Sequence, residues 1–225
     1  MTGHSDAVTG PASGSVADGI DLPDWLRPLA EACQSVTAAD LTRFVPPGEG
    51  GRASAVLILF GEDDLGPDIL FIQRAAQMRT HAGQPGFPGG ALDPEDAGPV
   101  AAALREAQEE TGLDPTGVEV FAVLPDLWIP VSGFVVTPVL GWWRTPTPVS
   151  PQDAAEVSGV HRVTLAELVD PAHRVRVQHP SGWVGPGFEV RGMLIWGFTG
   201  GLLSRLLDLA GWSLPWSPDR LVPVE

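Results

Sequence analysis

The run Arg105-Glu106-Ala107-Gln108-Glu109-Glu110-Thr111-Gly112-Leu113 decides how this chain is read. At about 100° per residue, Val100, Ala103, Leu104, Ala107 and Thr111 share one stripe, while Glu106, Glu109 and Glu110 share another nearly opposite. The spacing predicts a helix that packs with one face and presents three carboxylates on the other. Pro99 suits its first turn, Asp93 or Asp96 could cap its start, and Gly112 stands where a helix end takes a left-handed residue. Glutamates on adjacent turns repel one another by a few tenths of a kcal/mol per pair, and no lysine stands nearby to offset them. Mg²⁺ or Mn²⁺, hard cations that prefer oxygen ligands, would do so. The competing reading is a solvated acidic face in which Arg105 and Glu109 form an ordinary surface ion pair.

Upstream lies Gly83-Gln84-Pro85-Gly86-Phe87-Pro88-Gly89-Gly90. Its four glycines and two prolines cannot continue a helix or a strand, so a shaped loop is expected. Glycines let a backbone come close to a ligand, which makes Gly89 and Gly90 candidates for metal or phosphate contact through their amides and carbonyls.

A glycine loop feeding such a helix resembles the Nudix hydrolases, whose signature ends in Arg-Glu-aliphatic-x-Glu-Glu-x-Gly-aliphatic. That half matches at every fixed position, with Ala107 and Leu113 as the aliphatic members. The first half departs. Counted from Gly90, Arg105 comes one residue late, and the expected Glu is represented by Asp96, or by Glu95 or Asp93. The extra residue accompanies a second pattern: Leu70-Phe71-Ile72-Gln73-Arg74-Ala75, then Arg79, Gly83 and Phe87-Pro88-Gly89-Gly90, each after three intervening residues. This is similar to the motif of the coenzyme A pyrophosphatase branch of the family. Gln73 stands where that motif has lysine.

The resemblance implies an α/β fold, a Nudix-type α/β/α sandwich with a mixed central sheet, and metal-dependent hydrolysis of the diphosphate bond of coenzyme A or its derivatives. It implies Glu106, Glu109 and Glu110 as metal ligands for Mg²⁺ or Mn²⁺, with the Gly90 carbonyl a further one, and Arg105 as the group that orients a carboxylate. One glutamate could instead be the general base. Family members often recruit another carboxylate from a distant loop for that task, and Glu156 is the candidate here. Arg74 and Arg79 are candidates for the diphosphate or the 3′-phosphate, since a planar guanidinium suits bidentate contact. Two alternatives stay open: a Nudix enzyme acting on another diphosphate, such as NADH or a nucleotide sugar, and a Nudix-fold sensor that binds a nucleotide without turning it over.

Composition bounds these readings. A chain of 225 residues with 44% apolar content fits one core plus tails. A net charge of −15 argues against a general nucleic-acid surface, which needs a basic stripe. The partner expected is therefore a small-molecule substrate, and a homodimer is compatible with the sequence. The single cysteine, Cys33, excludes an intramolecular disulfide and makes a reducing, cytoplasmic home the simplest expectation, with Cys33 as inert packing. Gly192 to Ser204 is too short to span a bilayer, and the amino end lacks a basic-then-apolar leader.

The expected organisation is a disordered tail over 1–20, a helical extension over 21–50, a Nudix domain over 51–212 and a C-terminal tail over 213–225. Short helices are expected at Asp24 to Leu29 and Ala38 to Phe44, followed by a break at Pro46-Pro47-Gly48. Ala53 to Phe60 and Ile69 to Gln73 read as a hairpin. Strands are expected at Val118 to Leu124, Phe134 to Trp142, Val157 to Val163 and His173 to Gln178, and a closing helix at Leu194 to Leu209.

Overall fold

Alternation along one strand sets the architecture. Ala55, Leu57 and Leu59 are buried among one group of apolar side chains, and Ile58 and Phe60 among another. Successive residues of a strand point to opposite faces, so both faces of this one must be covered. The computed structural model describes residues 15–16, 19–44, 50–78 and 81–224. Arg79, most of the segment 1–20 and the Pro46-Pro47-Gly48 break lie outside the described residues.

In chain order the elements are β1 (Ser15–Val16), α1 (Arg27–Cys33), α2 (Ala38–Leu41), β2 (Arg52–Asp63), β3 (Gly66–Arg74), β4 (Pro85–Gly86), β5 (Gly89–Ala91), α3 (Pro99–Thr111), β6 (Val118–Val123), β7 (Leu127–Ile129), β8 (Phe134–Trp143), β9 (Val157–Thr164), α4 (Leu165–Val169), β10 (Arg174–Gln178), β11 (Val184–Val190), β12 (Met193–Ile195), α5 (Gly197–Leu209) and β13 (Leu221–Pro223). The central sheet runs β1-β6-β8-β2-β3-β4, with β5 on β2, β7 on β8 and β9 on β3. It is mixed: β2 and β8 are parallel from Arg52↔Phe134 to Phe60↔Trp142, whereas β2 and β3 form the expected antiparallel hairpin through Phe60↔Ile69.

Helix α3 lays Val100, Ala103, Leu104 and Ala107 on the face carrying Ala55, Leu57 and Leu59. The opposite face, with Ile58, Phe60 and Phe71, is covered by Leu26, Leu29 and Cys33 of the α1 region and by Leu202, Leu203, Leu206 and Leu207 of α5. Helices thus sandwich the sheet, as expected for an α/β/α fold. Cys33 is buried in that second core.

Four expectations need correction. The Gly83 to Gly90 stretch is not only loop: Pro85–Gly86 pairs with Ile72–Gln73, and Gly89–Ala91 pairs with Ser54–Val56. Tertiary contact overrides weak local propensity there. The cap of α3 is Gly98, with no side chain bonded to the helix start, because the Asp96 carboxylate is taken up elsewhere. The closing helix begins at Gly197, since Met193–Ile195 is a strand paired with Phe188–Val190. Finally, a second sheet, β12-β11-β10-β13, was not expected at all. Its strand β13 lies within the segment 213–225 and runs parallel to β10 through Val177↔Val222.

Candidate active site

The carboxylate helix and the glycine strand meet edge to face. Gly89 pairs with Val56 so closely that a Cβ on it would lie 2.3 Å from the Ala55 carbonyl oxygen. Only glycine permits that approach. It leaves the Gly89 N–H free of the sheet ladder on its far side, where it donates to the Glu110 Oε2 at 2.9 Å. The next residue, Gly90, faces Glu106: a Cβ there would stand 2.3 Å from the Glu106 Oε1. Gly90 therefore makes room for the Glu106 carboxylate, while Gly89, pressed against β2, offers its N–H to Glu110 one turn further along α3.

Glu110 is 7% exposed, and among the described residues its carboxylate accepts one hydrogen bond. Burial pushes its pKa up to about 8. Glu106 and Glu156 add to the rise, while the Gly89 N–H and Arg74 oppose it. The Glu106 carboxyl is also raised, again chiefly by burial, against the pull of Arg105. Charged carboxylates in such a place are costly unless a cation joins them.

Arg105 organises the rest. Its Nε and Nη2 grip the two oxygens of Asp96 at 3.1 and 2.9 Å, and its Nη1 donates to Glu106 and Glu109, each at 3.0 Å. The Ala91 carbonyl accepts from Nη2 at 3.2 Å. One guanidinium thus ties the end of the glycine strand, the turn before α3 and two turns of the helix. Asp96 is held well below the usual carboxylate range by Arg105. That fork gives Asp96, one of the three acids that could stand in for the expected first glutamate, its place in the fold: it anchors the arginine.

Arg74, at the end of β3, has a buried Nε without a hydrogen-bond partner among the described residues, and its charge is felt at Glu110. Glu156 reaches the same neighbourhood on the loop from Ser150. The Ser150 N–H donates to the Thr111 carbonyl at 2.9 Å, the Gln152 N–H to the Glu110 carbonyl at 3.3 Å, and the Ala75 N–H to the Glu156 carbonyl at 2.8 Å. This loop uses the open carbonyls at the end of α3 as its footing. Those long-range bonds leave no signal in the sequence.

Glu106, Glu110, Gly89 and Gly90 are thus brought together, with Arg74 and Glu156 close enough to act on Glu110. Glu109 is apart: its side chain is 59% exposed and engaged by Arg105. Among the described residues, no group of three His, Cys, Asp or Glu side chains is gathered into a ready cage for a metal ion. The arrangement fits a cation nonetheless, because Glu110 is a buried acid with a single donor and Glu106 points at a backbone trimmed to glycine. No helix among the described residues is long and apolar enough to cross a membrane.

A NUDIX domain is recognised over residues 51–181. Proteins named "Uncharacterized Nudix hydrolase NudL" are similar over 147 residues: one from Cronobacter sakazakii at 42% identity and one from Escherichia coli K12 at 40%, each covering 62% of this chain and 73% of the relative. The fold is similar to that of a crystal structure described as a Nudix hydrolase from M. smegmatis, RenU, with a TM-score of 0.51 and 18% identity over 72% of this chain and 88% of that one.

Proposed function

The chain belongs to the Nudix family, and from that premise we propose that it hydrolyses the diphosphate bond of coenzyme A, or of an acyl or oxidised derivative, to adenosine 3′,5′-bisphosphate and the matching 4′-phosphopantetheine. At family level the reaction is hydrolysis of a nucleoside diphosphate derivative with divalent cations such as Mg²⁺ or Mn²⁺. The observation that carries the finer reading is the joint between the two patterns. The run similar to the coenzyme A branch, Leu70 through Gly90, ends beside the carboxylate helix, where the Gly89 N–H donates to Glu110 at 2.9 Å.

In this reading Glu106, Glu109, Glu110 and the Gly90 carbonyl would hold the cation, with Glu109 also within reach of Arg105. When bound, the cation screens phosphate charge and lowers the pKa of water. The residues of the chain do the positioning. Arg105, locked by Asp96, fixes the rotamer of Glu106. Arg74, whose Nε lacks a partner among the described residues, offers that donor to a phosphate oxygen, and Arg79 is assigned to the same diphosphate. Glu156, exposed on its loop, accepts the proton that leaves the attacking water. The water oxygen bonds to one phosphorus, the bond from that phosphorus to the bridging oxygen breaks, and the leaving phosphate keeps the electron pair.

Incubation with coenzyme A and Mn²⁺ followed by mass analysis tests this. The two named products are expected. Preferred cleavage of NADH or a nucleotide sugar would move the assignment to another Nudix substrate, and binding without any product would make the protein a sensor.

A further inference from the structure

Beside the glycine strand, and outside the carboxylate cluster, a cleft of about 150 Å³ opens between the central sheet and the second sheet. One wall is Gln73, Gly83, Gln84 and Pro85, and the other is Met193, Leu194 and Trp196. Among the described residues, no charged side chain lines it. The neutrality comes from Gln73, which stands where the motif this chain resembles carries a lysine. Trp196 is backed by His179, whose ring stacks on it at 6.0 Å and 27°, and by Trp183 at 6.2 Å. This prop holds the indole as a wall of the cleft.

We propose that this cleft seats the uncharged, amide-bearing arm of the diphosphate substrate, leaving the nucleotide end outside it. The inference rests on the diphosphate reading above. Three observations point the same way. The volume is below the roughly 300 Å³ at which pockets for compact drug-sized ligands begin, so a slender chain fits where a nucleoside does not. Among the described residues a 3′-phosphate finds no cation lining the cleft, whereas the Gln73 carboxamide and the backbone of 83–85 offer donors and acceptors to amides. The cleft is also joined to the reaction site by backbone: the Arg74 N–H donates to the Gln84 carbonyl, and the chain runs from Pro85 to Gly89, the donor to Glu110. The path from Pro85 in β4 through the bend at Pro88 to Gly89 in β5 spans at most about 13 Å, within reach of a pantetheine arm. An arm seated in the cleft and following this path would bring its phosphate end to the Gly89-Glu110 contact.

The test uses the full chain and two readouts. In the first, indole N–H resonances are followed by NMR, with Trp196 assigned through Trp196→Phe, while 4′-phosphopantetheine or adenosine 3′,5′-bisphosphate is added. The expected result is a shift of the Trp196 signal with 4′-phosphopantetheine and none with the bisphosphate. The reverse pattern, or no shift with either, would overturn the proposal. In the second, Leu194→Trp, which narrows the cleft, is assayed with coenzyme A and with adenosine 3′-phosphate 5′-diphosphate, which lacks the arm. The KM for coenzyme A should rise about tenfold relative to that for the armless compound, and an unchanged ratio would count against the cleft. A Trp196 shift without hydrolysis of coenzyme A would defeat the functional reading and spare the cleft; hydrolysis without the shift would do the opposite.

Discussion

Asp68 and Glu110 are both acids buried within the fold, at 1% and 7% exposure, and they are treated in opposite ways. Asp68 receives a two-pronged grip from Arg162, Nε to Oδ1 at 3.1 Å and Nη2 to Oδ2 at 2.5 Å. That guanidinium lies over the Trp143 ring at 5.2 Å, and its backbone carbonyl accepts from Arg191, which in turn pairs with Glu167. The charge is answered within the fold. Glu110 has one backbone N–H, a distant arginine and two neighbouring acids. The fold leaves that charge to be answered from outside. Full pairing of a buried acid reads as structure, and partial pairing beside trimmed backbone reads as a binding site.

The sharpest way to break the contrast is Glu110→Gln. Activity should fall on the order of 10³-fold in kcat/KM, while the urea midpoint stays level or rises, because a neutral carboxamide is cheaper to bury than a carboxylate. A large stability loss with little loss of activity would place Glu110 in the same class as Asp68. The mirror experiment is Asp68→Ala, which leaves Arg162 only its looser contact with Asp63 at 3.5 Å and should cost about 3 kcal/mol of unfolding free energy. Turnover per folded molecule should hold, as measured by denaturation alongside an active-fraction assay.

Glu156→Gln should lower kcat about a hundredfold with KM little changed, because the loop carboxylate takes the proton; an unchanged kcat would return Glu156 to the role of a solvated loop residue. The smallest effect concerns Glu167. Its carboxyl is depressed from 4.5 to about 2, first by Arg191 and then by the Thr164 hydroxyl and backbone N–H. A folded-state pKa below the unfolded one contributes stability that is complete above about 4.5 and is lost as pH falls toward about 2. Glu167→Gln should therefore flatten the stability curve between those limits and leave its slope near neutrality alone, as read from thermal midpoints across pH.

The same contrast explains what was legible in the sequence. Helix α3, with its apolar stripe and Gly112 at φ 72°, follows from local pattern, as do β2, β3, β6, β8 and β9 of the central sheet, whereas the short strands β1, β4, β5 and β7 do not. The acid-binding role of Arg105 was also readable, though its grip on Asp96 needed the turn geometry. The second sheet was not readable, because Gly185-Pro186-Gly187 in β11 has the composition of a break. In the fold those glycines are used for close approach: a Cβ on Gly187 would meet Val177 at 2.5 Å, and one on Gly200 of α5 would meet the Pro186 carbonyl at 3.0 Å. Glycine chosen for contact and glycine chosen for a turn look alike in one dimension. The Glu156 loop was readable only as a candidate, since its footing on the end of α3 is made by backbone groups that every residue carries.

Direct measurement of cation affinity decides whether Glu110 is a site or a structural acid. Free Mn²⁺ can be counted by its paramagnetic resonance signal during titration of the wild-type chain and of Glu110→Gln, without substrate. Saturable binding to the wild type that weakens at least tenfold in the variant is the expected result. Equal affinity in the two proteins, or no binding to either, would contradict the cation site and with it the hydrolytic role of the carboxylate helix.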